Sequence, residues 1–416
     1  MSTVPKINAE RLWGRLEALS HITEEDQPWT RRSFTPKFLE GREWLRQAFT
    51  GAGLEVEVDA AGNLVGRREG AGGNLAPLVL GSHSDTVPSG GRFDGVLGVL
   101  CAIEVAQSLH EAGVTTRHPL EIIDFLAEEP SEFGLSCVGS RAIGGALSPE
   151  MLEMTRPDGM TLAEGISYVG GDPRKLDGVA RGENAIAGYL EVHIEQARAL
   201  ENANIPVGVV TGIAAIRRQR ITINGQTDHA GATPMALRHD ALVAASRVIG
   251  GVSDCATASS SEEYPLVATV GKLLVRPNAA NAVPGHVEFI LEARALDPDT
   301  LNSFLDTEVT ALLKAAQEQG FTVSREDISA SQATKCDPKV MQAIEKAAKA
   351  RGVTTMRMPS GAGHDAMFVA RTGPIGMIFL PCKDGRSHTP EEWAEKNDCA
   401  IAAQVMLDAL LALDSA

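Results

Sequence analysis

Four short apolar segments, each leading into a cluster of polar side chains, constrain the fold of this chain more than any other feature. They cover residues 78–80, 120–126, 189–194 and 375–380, and the polar clusters begin at His83, Glu128, His193 and Ser387. Short apolar runs of this kind are typical of buried strands. Helical patterns lie between them, for example at residues 96–112 and 337–351. The alternation predicts an α/β fold with a mixed sheet flanked by helices. Such sheets bind ligands at the carboxyl ends of their strands, where all four clusters would lie.

The middle of the chain has a different pattern. It reads strand, helix, strand, strand, helix, strand at residues 218–223, 236–252, 266–275, 286–296, 299–319 and 321–324. This order is typical of a compact α+β unit inserted into a larger domain. A chain of 416 residues is long enough for two domains. We therefore predict a discontinuous catalytic domain at residues 1–211 and 328–416, and a smaller α+β domain at residues 212–327.

Composition excludes several classes of function. The net charge of −16 opposes contact with a polyphosphate backbone, so nucleic acid is not expected as a partner. No apolar run approaches the roughly 20 residues that span a bilayer, and residues 1–15 lack the apolar segment that secretion requires. These features predict a cytoplasmic protein without a membrane partner. The six cysteines form no CxxC pair, so neither a disulfide framework nor a thiolate zinc site is expected.

Histidine and carboxylate side chains dominate the polar clusters. The clusters contain His83 and Asp85, then Asp94 in Gly-Gly-Arg-Phe-Asp-Gly, then Glu128-Glu129, His193 and His388. Imidazole and carboxylate ligands suit zinc, manganese, nickel or cobalt. Three imidazoles and two carboxylates exceed what one catalytic zinc uses, so the count favours two metal ions that share a bridging carboxylate. In the Glu-Glu pair, one carboxylate could bind metal while the other accepts a proton.

Each of the clustered residues, taken alone, could instead have a purely structural role. The same holds for four candidate substrate contacts further along the chain. Any one of the three clustered histidines could be a core or surface residue. Arg294 lies on a predicted strand and could form an interface salt bridge, and His229, in a glycine-rich loop, could stabilise a turn. Gly361 and Gly363 could let backbone N–H groups approach a substrate or could mark only a turn.

Further motifs extend along nearly the whole chain. They are His193-Ile-Glu-Gln196, His229-Ala-Gly-Ala-Thr-Pro-Met, Asn278-Ala-Ala-Asn281-Ala-Val-Pro-Gly, Arg294, Ser360-Gly-Ala-Gly-His364-Asp365-Ala and Ser387-His388-Thr-Pro-Glu-Glu. With the clusters above, they make the sequence resemble the M20 metallopeptidase family, which contains aminoacylases and dimetal carboxypeptidases. Within it, the sequence is similar to the hydantoinase/carbamoylase branch of N-carbamoyl-L-amino acid hydrolases, β-ureidopropionases and allantoate amidohydrolases. The resemblance implies a homodimer in which the smaller domain is both dimer interface and lid.

The resemblance also implies roles for individual residues. The implied metal ligands are His83 and His193 for one ion, Glu129 and His388 for the other, and Asp94 as the bridge. Glu128 would be the general base, and Asp85 would accept a hydrogen bond from His83 and fix its tautomer. Three substrate-binding residues would come from the smaller domain: His229, Asn281 and Arg294. His229 would also stabilise the developing oxyanion, and Arg294 would grip the substrate carboxylate. The other implied substrate-binding residues are Gln196, Gly361, Gly363 and His364.

The predicted reaction is hydrolysis of a ureido, N-carbamoyl or allantoate-type C–N bond in a small carboxylate-bearing substrate. A metal-bridging hydroxide would attack the carbonyl group, and Glu128 would take the proton of the water and deliver it to the leaving nitrogen. Two divalent ions per subunit are expected, zinc first, with manganese, cobalt and nickel as alternatives.

Two other functions stay open at this point. One is an aminoacylase or dipeptidase of the same family, and the other is a catalytically silent metal-binding protein. Relatives usually have Gly and then Arg-Phe after the Glu pair, whereas this chain has Pro130-Ser131-Glu132-Phe133, a change expected to alter the pocket wall. The stretch 215–218 resembles the allantoate-type branch, while the other motifs fit the carbamoylases equally well.

Overall fold

The structure is a computed structural model that describes residues 5–261 and 265–415. The chain divides into two compact units. The larger comprises Met1–Thr211, Cys336–Met358 and Ala362–Ala416, and the smaller comprises Gly212–Lys335 and Pro359–Gly361. The predicted return to the larger domain at residue 328 is therefore too early. The strand that contains residue 328 runs on to Ser331 because it stays paired within the smaller unit.

The helices have the following bounds in chain order. They are α1 Ala9–Ser20, α2 Pro36–Gly51, α3 Val96–Glu111, α4 Val138–Ile143, α5 Pro149–Leu152, α6 Leu162–Tyr168, α7 Ala199–Ala203, α8 Ala241–Ser259, α9 Pro298–Ser303, α10 Thr310–Glu318, α11 Pro338–Ala350, α12 Ala366–Val369 and α13 Lys396–Asp414. A π-helical segment, Phe304–Val309, joins α9 to α10, and short 3₁₀ turns lie at Pro173–Gly178, Met235–Leu237 and Lys383–Gly385. None of the helices within the described residues is long and apolar enough to cross a bilayer.

The strands are numbered in the same way. They are β1 Glu55–Val58, β2 Leu64–Arg68, β3 Leu78–His83, β4 Leu120–Phe125, β5 Gly188–Ile194, β6 Val207–Ile213, β7 Ala215–Asn224, β8 Asp228–His229, β9 Leu266–Arg276, β10 Ala282–Val283, β11 His286–Ala295, β12 Thr322–Ser331, β13 Thr334–Lys335, β14 Thr355–Ser360 and β15 Ile375–Leu380.

The larger unit is built on a mixed sheet with the strand order β1-β2-β4-β3-β5-β15-β6, and β14 also pairs with β6. The four central strands, β4, β3, β5 and β15, are mutually parallel. Every residue of these strands is buried, as expected for parallel strands covered on both faces. Helices α3, α11 and α13 pack against them. The predicted mixed sheet flanked by helices is thus confirmed.

The smaller unit has an antiparallel sheet with the order β12-β7-β11-β9. Along β11, every second residue from Val287 to Ala295 is buried against α8, α9 and their surroundings. The predicted helix at residues 236–252 begins later, because Pro234 starts a short 3₁₀ turn and Asp240 caps α8 by accepting the N–H groups of Leu242 and Val243. The separate two-stranded ribbon of β8 and β10 carries His229.

Candidate metal centre

Topology brings the predicted ligands of the larger unit together. His83 is the last residue of β3, and His193 is the sixth residue of β5. Glu128 and Glu129 follow β4, and His388 follows β15. Because these four strands are parallel neighbours, their carboxyl ends meet at one edge of the sheet.

The first ligand cluster consists of His83, Asp94 and His193, all buried. Asp94 Oδ1 lies 3.5 Å from Nε2 of His83 and 3.2 Å from Nε2 of His193. Asp94 follows β3 in the sequence and directly precedes Gly95, where a Cβ atom would overlap the His83 ring. Gly95 also has φ of +63°, so only glycine suits this turn.

The second cluster shares the same aspartate and adds Glu129 and His388. Nε2 of His388 lies 3.3 Å from Asp94 Oδ2 and 3.2 Å from Glu129 Oε1. One carboxylate oxygen of Asp94 therefore faces each cluster, which is the arrangement of a bridging ligand.

The tautomers of the two buried histidines suit metal binding. Nδ1 of His83 lies 3.0 Å from the carbonyl oxygen of Asp85, and Nδ1 of His193 lies 2.9 Å from that of Ile194. Since a carbonyl oxygen only accepts, each Nδ1 carries the proton and each Nε2 lone pair points towards Asp94. Ligands of a tetrahedral zinc ion at 2.0–2.2 Å lie about 3.3–3.6 Å from one another. The separations above, from 3.2 to 3.5 Å, lie within about 0.1 Å of this range, so the residues fit a pair of cations.

The centre has an excess of negative charge. Burial raises the pKa of Glu128 well above its usual range; His83 opposes this shift, and Glu129 and Asp365 reinforce it. Hydrogen bonds to Asp94 and Glu129 raise the pKa of His388 to about 11. Within the described chain, no Lys or Arg side chain pairs with Asp94, Glu128 or Glu129. Protons are retained here because positive charge is scarce, and bound cations would replace them.

Glu128 faces the cluster without belonging to either ligand triad. Its Oε2 is 3.6 Å from Nε2 of His83, and its Oε1 is 3.6 Å from the Cys137 thiol. The Asp85 carboxylate accepts the N–H groups of Glu128 and Glu129, each at 3.3 Å. Asp85 thus holds the Glu pair with its side chain, while its carbonyl oxygen is the nearer acceptor for His83 and its Oδ1 lies 3.6 Å away.

Two predicted substrate-binding residues lie beside the ligands. Gln196 donates from Nε2 to Asp94 Oδ2 at 2.6 Å. The buried imidazole of His364 packs edge-on against that of His193, with 4.6 Å between ring centroids. Burial and the nearby His193 hold the pKa of His364 well below its usual range.

The structure adds Ser387 and Glu392, to which the sequence analysis gave no role. The Ser387 hydroxyl lies 2.7 Å from Asp94 Oδ2 and 2.9 Å from Glu392 Oε2. Glu392 also accepts the N–H groups of Phe93 and Asp94. The sequence indicated the site through the Ser-His-Thr-Pro-Glu-Glu motif, but nothing in it separates Glu391 from Glu392.

In the smaller unit, His229 and Asn281 are neighbours. His229 pairs with Ala282 across the β8–β10 ribbon, and Ala230 donates to the carbonyl oxygen of Asn281. Nδ1 of the exposed His229 accepts the N–H groups of Gly231 and Ala232, each at 3.1 Å. This leaves Nε2–H as the donor that His229 presents.

Arg294 is also in the smaller unit, on the face of β11 opposite its core. Its Nε donates to Glu292 at 2.8 Å, and its Nη1 donates to the Gly361 carbonyl oxygen at 2.5 Å. Gly361 has open space where a side chain would project, whereas Gly363, in the larger unit, lies beside Met367.

The unusual residues after the Glu pair form an ordered turn. Glu132 pairs with Arg32 at 3.0 Å, and Ser131 donates to the carbonyl oxygen of Leu135. Phe133 is buried and packs edge-on against Phe34. The changed sequence therefore keeps a packed loop beside Glu128 and Glu129.

Known proteins resemble this chain over nearly its whole length. A model of the peptidase family M20/M25/M40 matches residues 79–412. An N-carbamoyl-L-amino acid amidohydrolase of Geobacillus stearothermophilus is 40% identical over 401 residues, covering 96% of this chain and 97% of the relative. A ureidoglycolate hydrolase of Oryza sativa subsp. japonica is 32% identical over 413 residues, covering 98% of this chain and 85% of the relative.

Solved structures have the same fold. The crystal structure of an amidase of the hydantoinase/carbamoylase family from Burkholderia multivorans has a TM-score of 0.91 and is 34% identical, and the match covers 99% of both chains.

Proposed function

The chain belongs to the peptidase family M20/M25/M40, and from this premise we propose that it hydrolyses the C–N bond of a ureido or N-carbamoyl group in a small carboxylate-bearing molecule. The observation that carries the proposal is the shared Asp94, whose two carboxylate oxygens face two separate ligand clusters. We propose N-carbamoyl-L-amino acids as the first substrates to test. Several relatives named N-carbamoyl-L-amino acid amidohydrolase align over almost the whole chain.

We propose that His83 and His193 hold one divalent ion, that Glu129 and His388 hold the other, and that Asp94 bridges them. Zinc is our first choice because catalytic zinc sites combine imidazole and carboxylate ligands, and manganese, cobalt and nickel are the alternatives that the same ligands permit. Bound at this position, two cations would supply activation of water and polarisation of the scissile carbonyl group.

Glu128 is the proton carrier in this proposal. It is 9% exposed, so it can meet a substrate while little water competes for it. Its carboxylate accepts a proton from the attacking water and then delivers that proton to the leaving nitrogen. The proposal thus gives Glu128 and the adjacent Glu129 different tasks.

We propose that His229, Asn281 and Arg294 of the smaller unit act on the substrate. The Nε2–H group of His229 donates to the developing oxyanion, and Arg294 binds the substrate carboxylate. A guanidinium is well suited to this second task because it remains charged and offers two parallel N–H groups.

Replacing Arg294 with Lys should raise KM about tenfold to a hundredfold and leave kcat within a few-fold of the wild-type value. Lysine keeps the charge but loses the bidentate geometry, and hydrogen bonds to charged groups contribute about 1.5–3 kcal/mol each. Steady-state kinetics with an N-carbamoyl-L-amino acid measures both constants. An unchanged KM would remove Arg294 from the substrate site.

We also propose that the chain forms a homodimer through β9. This strand lies at the edge of the smaller unit's sheet and exposes Val267 at 58% and Leu273 at 49%. Long apolar edge strands are usually covered in native proteins. A second copy of the chain is the proposed cover.

The double variant Val267→Lys with Leu273→Lys should be monomeric at micromolar concentration. Two charges would replace two apolar side chains, each of which contributes about 1.5–3 kcal/mol when buried. Light scattering after size exclusion should give the chain mass of 44.0 kDa for the variant and twice that for the wild type. Ile328→Lys, on the opposite edge strand β12, is the control and should remain dimeric. A monomeric wild type would contradict the proposal.

A substrate screen tests the proposed reaction. The zinc-loaded protein is given N-carbamoyl-L-amino acids, allantoate, ureidoglycolate and N-acetyl amino acids, and both ammonia and acetate are measured. We expect ammonia from a ureido or carbamoyl substrate. Release of acetate alone would reject the proposal in favour of an aminoacylase.

A further inference from the structure

Glu392 is a buried carboxylate that the reaction described above does not use. Its side chain is 1% exposed although it follows Glu391, which is exposed and bonds to Thr389. The two adjacent glutamates therefore have different surroundings. Glu391 makes a contact at the surface, whereas the side chain of Glu392 points into the protein beside Asp94.

The Glu392 carboxylate joins two distant stretches of the chain. Its Oε1 accepts the N–H groups of Phe93 at 2.8 Å and Asp94 at 3.1 Å. Its Oε2 accepts the hydroxyl group of Ser387 at 2.9 Å. One side chain therefore fixes the backbone of the shared ligand Asp94 and the residue that precedes the ligand His388.

Two further observations support a fitted position for Glu392. A Cβ atom at Gly91 would overlap its carboxyl group, so glycine is needed where the chain passes this side chain. Next to it, Trp393 stacks on the guanidinium of Arg92, which also stacks on Trp29, with centroid distances of 4.9 and 4.7 Å. Arg92, which precedes Phe93 and Asp94, is thus packed against Trp393, which follows Glu392.

The Ser387 hydroxyl has one proton and two carboxylate neighbours. It lies 2.7 Å from Asp94 Oδ2 as well as 2.9 Å from Glu392 Oε2. Because Glu392 can accept this proton, Asp94 Oδ2 can give its lone pair to a cation without leaving the hydroxyl group unpaired.

We infer that Glu392 is a positioning residue that holds Asp94 and His388 in register for binding both cations. The inference rests on the ligand assignment in the proposed function and adds a residue that touches neither cation nor substrate. Partners that orient metal ligands typically change metal affinity 10–100-fold when they are replaced.

The test compares Glu392→Gln with its neighbour Glu391→Gln. Each protein is stripped of metal and titrated with Co²⁺, and the visible absorption spectrum gives the number of ions bound and their affinities. We expect wild type and Glu391→Gln to bind two ions alike. Glu392→Gln should bind at least one of them about 10–100-fold more weakly, with a changed spectrum.

If Glu392→Gln binds two ions with the affinity and spectrum of the wild type, the inference is wrong. If the wild type itself fails to bind two ions, the proposed ligand assignment fails instead. Should Glu392→Gln fold poorly in thermal unfolding, Ser387→Ala replaces it. That variant removes the hydroxyl group that contacts both Glu392 and Asp94 and through which Glu392 reaches the residue before His388. An unchanged Co²⁺ affinity in it would show that Glu392 does not position His388, and the inference that it holds both ligands in register would be overturned.

Discussion

Replacing Glu128 with Gln is expected to lower kcat by about 10²–10⁴-fold while the protein keeps its metal ions. Glutamine has nearly the same shape but takes up no proton at neutral pH, so both proton transfers of the reaction lose their carrier. The effect should lie towards the upper end because the same carboxylate serves first as base and then as acid. Metal retention is expected because Glu128 belongs to neither triad of ligand atoms.

The adjacent glutamate provides the matched comparison. Glu129 lies 3.2 Å from Nε2 of His388 and is a member of the second cluster. Glu129→Gln should therefore lose metal as well as activity, whereas Glu128→Gln should lose activity alone. Metal analysis by mass spectrometry and kcat from ammonia release separate the two variants. A Glu128→Gln protein that turns over at the wild-type rate would show that another group carries the proton.

Replacing His229 with Asn is expected to lower kcat by about 10²–10³-fold, a loss of about 2.7–4 kcal/mol of transition-state stabilisation. Asparagine is the most selective substitution, because its Oδ1 can accept the N–H groups of Gly231 and Ala232 in place of His229 Nδ1. Only the Nε2–H donor is then removed. The loop should keep its conformation, and the midpoint of thermal unfolding should change little because the side chain is exposed.

His286→Asn is the control for this variant. His286 lies in the same unit and bonds to Asn224, and it has no role in the proposed reaction. Its replacement should leave kcat near the wild-type value. Equal losses in the two variants would indicate a general disturbance of the smaller unit, and an unchanged kcat in His229→Asn would remove His229 from oxyanion stabilisation.

The sequence predicted the larger unit well because its strands are short, apolar and followed at once by chemistry-bearing residues. His83, Glu128 and His193 lie where parallel strands end, so a prediction of strand positions is also a prediction that these side chains meet. The same pattern placed the cluster with His388 after a fourth strand, but the ligand roles of Asp94 and His388 came from the family resemblance, because each lies on a loop whose course no periodicity determines.

Other features of the site and the fold could not be predicted from the sequence, because they depend on tertiary contacts that no local pattern encodes. The separate roles of Glu391 and Glu392 depend on which side chain turns towards Asp94, a matter of tertiary packing. Asp85 accepts the backbone N–H groups of Glu128 and Glu129 because the loop after β3 lies against the loop after β4. The late end of the smaller unit follows from the pairing of β12 with β7. The cytoplasmic location stays a prediction.

Stepwise addition of Zn²⁺ to the metal-free protein, with ammonia release from an N-carbamoyl-L-amino acid followed throughout, tests the central claim most directly. The ligand clusters around Asp94 predict that activity is absent without metal and reaches its maximum when two ions are bound per chain. Full activity of the metal-free protein, or a maximum that one ion per chain already reaches, would contradict it.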